Sequence, residues 1–289
     1  PNTMKEKSRR DAQAEVEALT GNGFAVLVDG DMDRFGTIDS NGEALSANDM
    51  VALLTFFLND DIGLTGAVGK TVATTNFVNA VAEHSGLEVD EEAVGFKYFV
   101  KNVTGGRTYL VAGEESAHVA VGPFMKSWDD GLVVGLMSLW ITARTGMSLV
   151  EYRDYVQKEI DRKFKIQLVD IWLDDQAAYQ QIKDLVKANT AEVENGIPLS
   201  ERTIVRQVEA LQDKKVVDMI TKDGIKMVFE DGSWMLLRPS GTQVLTKLYV
   251  ETAGTYQTTN QQLTDRFEII KSVGEQIAAG ADPAMLAQN

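Results

Sequence analysis

The chain contains no cysteine among its 289 residues, which excludes disulfide bonds, thiolate metal sites and cysteine nucleophiles. Histidine is scarce, with two residues in the whole chain, so imidazole chemistry is confined to at most two positions. The longest apolar run, 131–142, is well short of the roughly 20 residues that a membrane-spanning helix needs. The polar segment 1–10 does not resemble a signal peptide. We therefore expect no membrane association and a cytoplasmic location.

Basic residues are also few, because 28 lysines and arginines stand against 43 acidic residues and give a net charge of -15. Such a charge repels nucleic-acid phosphates and anionic lipid, so we expect no nucleic-acid partner. Apolar residues make up 44% and charged residues 25% of the chain, which is typical of a globular protein. The length is sufficient for two domains of ordinary size.

The pattern of apolar residues changes near residue 160. Before it, apolar strands alternate with amphipathic helices; after it, short strands separated by Asp-Gly turns prevail. This predicts an α/β domain with a mixed or parallel sheet and helices on its faces, followed by a smaller α+β domain with an antiparallel sheet. Ser148 and Glu151 form a capping-box pattern that predicts a helix start. Predicted helices cover 46–58, 75–85, 96–103, 130–144 and 259–279, and predicted strands cover 24–28, 70–73, 109–112, 216–220, 225–229, 233–238 and 244–251.

Three aspartates at alternate positions, Asp29, Asp31 and Asp33, follow the apolar strand 24–28, and Arg34 comes directly after them. Carboxylates this close repel one another unless a cation lies among them, and a hard divalent cation prefers oxygen ligands. The spacing therefore indicates a Mg²⁺ site at the end of a strand. The alternative is an acidic loop whose aspartates cap turns and face water.

A second group of polar residues, Glu114, Ser116 and His118, follows the predicted strand 108–112. The carboxyl ends of strands in open α/β sheets are where ligands bind, and these side chains could hold the hydroxyl groups of a ligand. His118 is also suited to proton transfer near neutral pH. The alternative is a solvated turn with surface charges. His84, at the end of a predicted helix, is expected to interact with the helix dipole.

A third group lies in the stretch Arg-Pro-Ser-Gly-Thr between two predicted strands of the second domain. A guanidinium group pairs with phosphate oxygens in a bidentate manner, and hydroxyl and backbone N–H groups add further donors. The stretch therefore indicates a phosphate site, although by itself it is equally compatible with a plain connection between strands. Its candidate ligands are Arg238, Ser240, Gly241 and Thr242.

Residues 63–71 resemble a nucleotide-binding P-loop because they end in Gly69-Lys70-Thr71. That motif requires a glycine where this chain has Leu64, so a P-loop nucleotidase is disfavoured. We expect Lys70 and Thr71 to enter a strand.

Taken in order, the aspartate loop, the Gly-Glu-x-Ser loop and the Arg-Pro-Ser-Gly-Thr loop resemble the α-D-phosphohexomutase family, the phosphoglucomutases and phosphomannomutases. The segments 67–72 and 95–99 add to the resemblance, which spans about 24–275 and is nearest to the phosphoglucomutase branch. Members of this family are isomerases with four domains. They move a phosphoryl group between positions 1 and 6 of a hexose through a phosphoserine and a bisphosphorylated sugar.

The resemblance implies a role for each group of residues. Mg²⁺ would be held against the phosphoserine by Asp29, Asp31 and Asp33. Substrate contacts would come from Arg34, Glu114 and Ser116. The candidate acid or base groups at the reacting end would be Lys97 and His118. The non-reacting phosphate of the hexose phosphate substrate would be clamped by Arg238, Ser240, Gly241 and Thr242.

The family's phosphoserine lies in a Ser-His-Asn-Pro stretch, and none of the five prolines here follows Ser-His-Asn. We therefore expect residues 1–35 to be a remnant of a second domain that carries the metal loop. Residues 36–160 would be the α/β domain with the sugar loop, and 161–289 the C-terminal α+β domain with the phosphate loop. The N-terminal domains would be a missing partner, and the isolated chain is predicted to be inactive. The alternative is a non-catalytic sugar-phosphate-binding or assembly module.

Overall fold

The computed structural model describes residues 6–19, 23–124, 129–241 and 243–280. The chain divides into two compact units, 1–162 and 163–289. Each unit has its own sheets and its own core, and each is described by itself. The three-segment division of the chain stays a prediction.

The first unit contains helices, a π-helical turn and two sheets. Its helices are α1 (Glu6–Ala18), α2 (Ala47–Phe56), α3 (Phe77–His84), α4 (Lys97–Thr104), α5 (Gly131–Thr145) and α6 (Leu149–Glu159), with the π-helical turn Phe57–Asp61 continuing α2. Its strands are β1 (Ala25–Val28), β2 (Phe35–Ile38), β3 (Ala44–Leu45), β4 (Ala67–Thr71), β5 (Val89–Glu92), β6 (Tyr109–Gly113) and β7 (Val119–Val121).

The strands of the first unit form a small antiparallel sheet in the order β1-β2-β3 and a four-stranded sheet in the order β5-β4-β6-β7. In the larger sheet β5, β4 and β6 are parallel, and β7 pairs antiparallel with β6. The sheet is therefore mixed and carries helices, as predicted. Because β4 and β6 run in the same direction, Thr71 and Gly113 end their strands at the same edge, next to the loops that follow them.

The second unit is built on an antiparallel sheet in the order β8-β12-β11-β10-β9. Apolar residues on one face of the sheet, such as Met227, Met235 and Leu248, pack with Phe267 and Ile270 of the last helix in a buried core. The predicted α+β architecture with an antiparallel sheet is confirmed. The strands are β8 (Lys163–Trp172), β9 (Val216–Ile220), β10 (Ile225–Phe229), β11 (Trp234–Pro239) and β12 (Leu245–Gly254), and the helices are α7 (Gln176–Glu194), α8 (Thr203–Leu211) and α9 (Asn260–Ala278), with a 3₁₀ turn at Leu199–Glu201.

Local signals in the sequence placed many of these elements within a few residues. The capping box at Ser148 and Glu151 is present at the start of α6, and the two Asp-Gly turns join β9 to β10 and β10 to β11. The strand predicted at 70–73 is found at Ala67–Thr71 instead. It includes Gly69, where an added Cβ would lie 2.9 Å from Ala112 and Phe99, so β4 is closely packed at this position.

Among the described residues, no single helix is long and apolar enough to cross a membrane. Helices α5 and α6 taken together have the length and apolar composition of a membrane span, but the pair is bent by 73° at the break between them. Val134, Ile141 and Tyr152 of this pair are fully buried in the first unit, as expected of core helices.

Candidate active site

Three carboxylates cluster in the turn between β1 and β2. Ligand oxygens of Asp29, Asp31 and Asp33 lie within 4.8 Å of one another. Two carboxylate charges at this distance repel by about 1 kcal/mol in water and by about 3.5 kcal/mol at an effective dielectric constant of 20. The backbone therefore holds together side chains that would separate if they were free.

Asp33 differs from Asp29 and Asp31 in its surroundings. Its Oδ1 atom is buried and has no hydrogen-bond partner among the residues that the structure describes. Burial raises the pKa of Asp33, and the charges of Asp29, Asp31 and Asp129 add to this; a protonated His118 ring would lower it. A buried carboxylate oxygen without a donor, surrounded by other carboxylates, is suited to a cation. The all-oxygen donor set fits Mg²⁺, which is a hard ion.

The turn that carries the aspartates is fixed by contacts with the start of α5. Met32 has a left-handed φ of 64°, and its carbonyl oxygen accepts a hydrogen bond of 2.8 Å from the Gly131 N–H. A Cβ on Gly131 would lie 2.5 Å from the Arg34 carbonyl oxygen. Only glycine therefore lets the first turn of α5 lie against the aspartate loop without displacing it.

Arg34 supplies positive charge at the end of the loop. Its backbone N–H donates to Asp29 Oδ1 at 3.2 Å, and its Nε lies 3.7 Å from Asp29 Oδ2 and 4.0 Å from Asp33 Oδ1. The same Nε–H donates to His118 Nε2 at 3.1 Å. Arg34 thus connects the aspartate loop to the loop that follows β6.

The loop after β6 holds a buried carboxylate. Glu114 is 3% exposed, and its two carboxylate oxygens accept hydrogen bonds from the Gly95 N–H and the Ser116 hydroxyl. Burial raises the pKa of Glu114, and the neighbouring charge of Glu115 raises it further; the two hydrogen bonds and His118 lower it by less. The loop therefore presents a carboxyl group and a hydroxyl group held in fixed positions, which suits the binding of ligand hydroxyls.

The loop keeps its shape through a tight turn and a bond to the next strand. Ala117 has a left-handed φ of 76°, and the Glu114 N–H donates to the His118 carbonyl oxygen at 2.9 Å. The hydroxyl of Thr71, the last residue of β4, donates to Glu115 Oε2 at 3.0 Å. The end of β4 is thereby bonded to the loop that follows β6.

Lys70, one residue before Thr71, is fully buried. Its ammonium group donates to Asn76 Oδ1 at 2.8 Å and to Asn79 Oδ1 at 2.6 Å, and it lies 3.2 Å from Glu91 Oε2. Two backbone carbonyl oxygens, of Thr74 and Thr75, accept further bonds. This lysine is enclosed by protein oxygens, as expected of a structural residue and not of a phosphate-binding one.

His118 lies between the two loops. Asp129 contacts its Nδ1 on one side, and Arg34 donates to its Nε2 on the other. Burial of the ring lowers its pKa, but the hydrogen bond and charge of Asp129, with the charges of Asp33 and Glu114, outweigh burial and raise it. The Arg34 contact acts in the opposite direction, because an Nε2 that accepts a hydrogen bond cannot carry a proton. The Arg34 contact requires a neutral ring with its proton on Nδ1.

Sequence reasoning did not predict Asp129. The only local signal is the pair Asp129-Asp130 before α5, where a helix start needs one capping acid and Asp130 fills that role by accepting hydrogen bonds from Leu132 and Val133. Asp129 is therefore not needed to cap the helix. This unexplained acidic residue was the sequence feature that could have indicated a role in the site.

Lys97 is the first residue of α4 and is exposed. Its ammonium group lies 5.1 Å from the centre of the Tyr98 ring. The backbone next to it reaches the loop after β6, because Gly95 binds Glu114 and the Phe96 ring lies 6.2 Å from the His118 ring. Lys97 therefore lies at the edge of the candidate site, next to the residues that contact Glu114 and His118. Its role as an acid or base stays a prediction.

The candidate phosphate loop belongs to the second unit and follows β11. Arg238 Nε donates to Asp223 Oδ2 at 2.7 Å. The buried Ser240 accepts a hydrogen bond from the Tyr179 hydroxyl at its carbonyl oxygen and donates its N–H to the Leu245 carbonyl at 3.0 Å. Gly241 is exposed with no atom within 4 Å of an added Cβ. Thr242 lies outside the described residues.

Two domain models of one family match this chain. Phosphoglucomutase/phosphomannomutase, alpha/beta/alpha domain III, matches residues 46–159, and the C-terminal domain of the same family matches residues 168–269. The two matches together cover most of the chain. It belongs to the phosphoglucomutase/phosphomannomutase family. Within this family assignment, the Glu114 loop lies in the domain III match and the Arg238 loop in the C-terminal match, whereas the aspartate loop precedes both.

Curated relatives in the family are longer than this chain. The phosphoglucomutase/phosphomannomutase of Thermococcus kodakarensis is 27% identical over 237 residues, which are 82% of this chain and 45% of that protein. The phosphoglucomutase of Komagataeibacter xylinus is 26% identical over 235 residues, which are 79% of this chain and 40% of that protein. The chain therefore spans less than half the length of these relatives.

Solved structures of the family share the fold. The open form of parafusin, a phosphoglucomutase from Paramecium, covers 98% of this chain and 51% of its own, with a TM-score of 0.71 and 19% identity. The N-acetylphosphoglucosamine mutase of Aspergillus fumigatus, solved in complex with GlcNAc-6P and magnesium, covers 90% of this chain and 53% of its own, with a TM-score of 0.55 and 13% identity. At these identities the likeness is one of fold.

Proposed function

We propose that this chain forms the metal-binding and sugar-phosphate-binding part of a phosphohexomutase of the phosphoglucomutase type. The enzyme interconverts a hexose 1-phosphate and a hexose 6-phosphate through a phosphoserine and a bisphosphorylated sugar. The observation that carries this proposal is the Arg34–His118 hydrogen bond, which joins an aspartate cluster to a loop that offers Glu114 and Ser116. Family membership supports the same reaction class.

In this proposal Asp29, Asp31 and Asp33 hold Mg²⁺, as their oxygen donors and the buried Asp33 Oδ1, which accepts no hydrogen bond from the described residues, allow. When bound, Mg²⁺ neutralises charge on the transferred phosphoryl group. Phosphoryl transfer needs little covalent help from the protein beyond a nucleophile and accurate positioning. The chain's own contribution is therefore chiefly to bind and orient the substrate.

Glu114 and Ser116 orient the sugar through its hydroxyl groups, and Arg34 contributes positive charge close to the reacting phosphate. His118 and Lys97 are the candidate groups for proton transfer at that end. In the second unit, the distal phosphate is bound by a guanidinium, two hydroxyls and an exposed backbone N–H. These ligands are Arg238, Ser240, Gly241 and Thr242.

No Ser-His-Asn-Pro stretch occurs in these 289 residues, so the phosphoserine has to come from a segment that this sequence does not contain. We infer that this chain alone binds hexose phosphate without turning it over. A test supplies glucose 1-phosphate, its bisphosphate activator and Mg²⁺ to the purified chain, with and without an added family segment that carries the phosphoserine. Turnover only with the added segment supports the proposal, and turnover by the chain alone contradicts the inference of inactivity.

The missing serine stretch also favours a second candidate, a sugar-phosphate-binding or assembly module without catalysis. Calorimetry with glucose 1-phosphate distinguishes the two when it is combined with the turnover assay. Binding that never leads to turnover, even with the phosphoserine segment present, supports the module. The substitution Arg238→Ala should weaken binding in either case, whereas Arg206→Ala, at an exposed position of the same unit, should not.

A further inference from the structure

Asp129 belongs to neither of the two loops of the first unit but is held next to both. The next residue, Asp130, donates its N–H to the Val119 carbonyl oxygen at 3.1 Å and caps α5, so the backbone at this point is anchored to a strand and to a helix. The Asp129 side chain is 15% exposed and so is that of His118. The contact between them is therefore largely shielded from water.

The two nitrogens of the His118 ring have different partners. Nε2 faces the Nε–H of Arg34 at 3.1 Å, and a guanidinium group can only donate hydrogen bonds. Nε2 must then be the acceptor and carry a lone pair. The proton of the neutral ring lies on Nδ1, where the Asp129 carboxylate accepts it.

We propose that Asp129 is a positioning residue that fixes the orientation of the His118 ring and selects its Nδ1–H tautomer. A carboxylate that accepts a hydrogen bond from one ring nitrogen determines the chemistry of the other nitrogen. Here it leaves the Nε2 lone pair directed towards Arg34 and the aspartate loop. The consequence for catalysis rests on the proposed function: the lone pair of the His118 ring is on Nε2, and it becomes available to a substrate only when Arg34 releases its hydrogen bond.

Other groups around the ring do not replace Asp129. Asp33 Oδ2 lies 3.6 Å from Nδ1, which is too long for a hydrogen bond, and Asp33 is already a member of the cation cluster. The Phe96 ring, tilted by 37°, covers the imidazole without offering an acceptor of comparable strength. Asp33, His118 and Asp129 lie close enough to hold a metal ion, but both ring nitrogens already have hydrogen-bond partners.

The test is the proton on the His118 ring, observed by NMR in protein labelled with ¹⁵N-histidine. The chain has two histidines, so His118→Gln assigns both rings. In the wild-type chain, at a pH where the ring is neutral, we expect a downfield proton attached to Nδ1 that exchanges slowly with water. Asp129→Ala should abolish this resonance, and Asp129→Asn, which keeps the shape but removes the charge, should shift it upfield.

His84 provides the matched control. Its Nε2 lies 3.7 Å from Asp60 Oδ1, so Asp60→Ala should alter the His84 signals and leave the His118 proton in place. A wild-type ring with its proton on Nε2 would overturn the proposal, as would a slowly exchanging Nδ1 proton that survives Asp129→Ala. If the alanine variant does not fold, the asparagine variant decides. Because no sugar phosphate or metal is added, failure of the proposed mutase activity would leave this result unaffected.

Discussion

Replacing Gly131 with alanine tests whether the aspartate loop depends on the first turn of α5. The added Cβ would lie 2.5 Å from the Arg34 carbonyl oxygen and 3.2 Å from Val28 Cγ1. Ordinary contacts of a Cβ begin at 3.4 Å, and a backbone carbonyl cannot move away by rotating a side chain. The helix and the loop must therefore separate.

The expected cost combines three effects. Overpacking of a well-packed site costs about 1–3 kcal/mol. Separation also weakens the 2.8 Å hydrogen bond from the Gly131 N–H to the Met32 carbonyl, which contributes about 1 kcal/mol. Alanine gains up to about 1 kcal/mol as the better helix former. We expect a net loss of about 1–3 kcal/mol in the free energy of unfolding.

Urea unfolding of the variant measures this loss, and amide hydrogen exchange locates it. Exchange is needed because two units do not have to unfold together. We expect lost protection in 29–36 and at the start of α5. Gly30→Ala is the control within the same loop, because its Cβ would meet nothing within 4 Å and should change stability by less than about 0.5 kcal/mol. Equal stability and equal protection in the two variants would refute the reasoning.

Three further perturbations test other parts of the account. Lys70→Met should lower the free energy of unfolding by about 3–5 kcal/mol, because it leaves buried oxygens and the partly exposed Glu91 without their cation; urea unfolding measures the loss. Tyr179→Phe should cost about 1 kcal/mol by removing the hydrogen bond to the Ser240 carbonyl, and exchange should rise in 240–245. Burial raises the pKa of Glu114, so its contribution to stability is present below about pH 4.3 and is lost as pH rises through the raised value. Glu114→Gln should flatten that decline in unfolding measurements across pH.

The first two of these predictions have matched controls, and the third has an outcome that would contradict it. Lys101→Met changes an exposed lysine and should alter stability by less than about 0.5 kcal/mol. A similarly small effect of Lys70→Met would contradict the conclusion that the hydrogen bonds and the ion pair of the buried Lys70 stabilise the fold. Tyr256→Phe removes a hydroxyl elsewhere in the second unit and should leave exchange in 240–245 unchanged. An unaltered pH dependence in Glu114→Gln would show that this carboxyl group is not destabilised by burial.

The sequence predicted the parts of the fold that have strong local signals. The capping box at Ser148, the Asp-Gly turns and the apolar strands β6 and β10 are each specified by neighbouring residues. In strand β8 the alternation of polar and apolar residues holds over 163–168 and breaks at Leu168-Val169; the strand lies at the edge of its sheet, with Leu168 and Trp172 exposed, and it was missed. Helix α7 was missed for a similar reason, since of its nineteen residues only Ile182 and Asn189 are buried.

The candidate site was predicted where one short stretch supplies several groups, as in the aspartate loop. It was not predicted where partners are brought together by the fold. Asp129 contacts His118 from 11 positions later in the chain, and Arg34 contacts the same ring from 84 positions earlier. The side chains that bind the Lys70 ammonium group come from α3, the residue before it and β5. The sequence therefore indicated that Lys70 lies in a strand, but not why a lysine is buried there.

The most direct test of the central claim is an NMR titration of this chain with Mn²⁺, a paramagnetic substitute for Mg²⁺. We predict line broadening centred on 29–34, reversed by Mg²⁺ and abolished in Asp33→Asn but retained in Asp60→Asn, which removes an acid elsewhere in the same unit. A chain with a net charge of -15 also attracts cations diffusely. Broadening spread over the acidic surface, or left unchanged by Asp33→Asn, would contradict a built cation site at the aspartate loop.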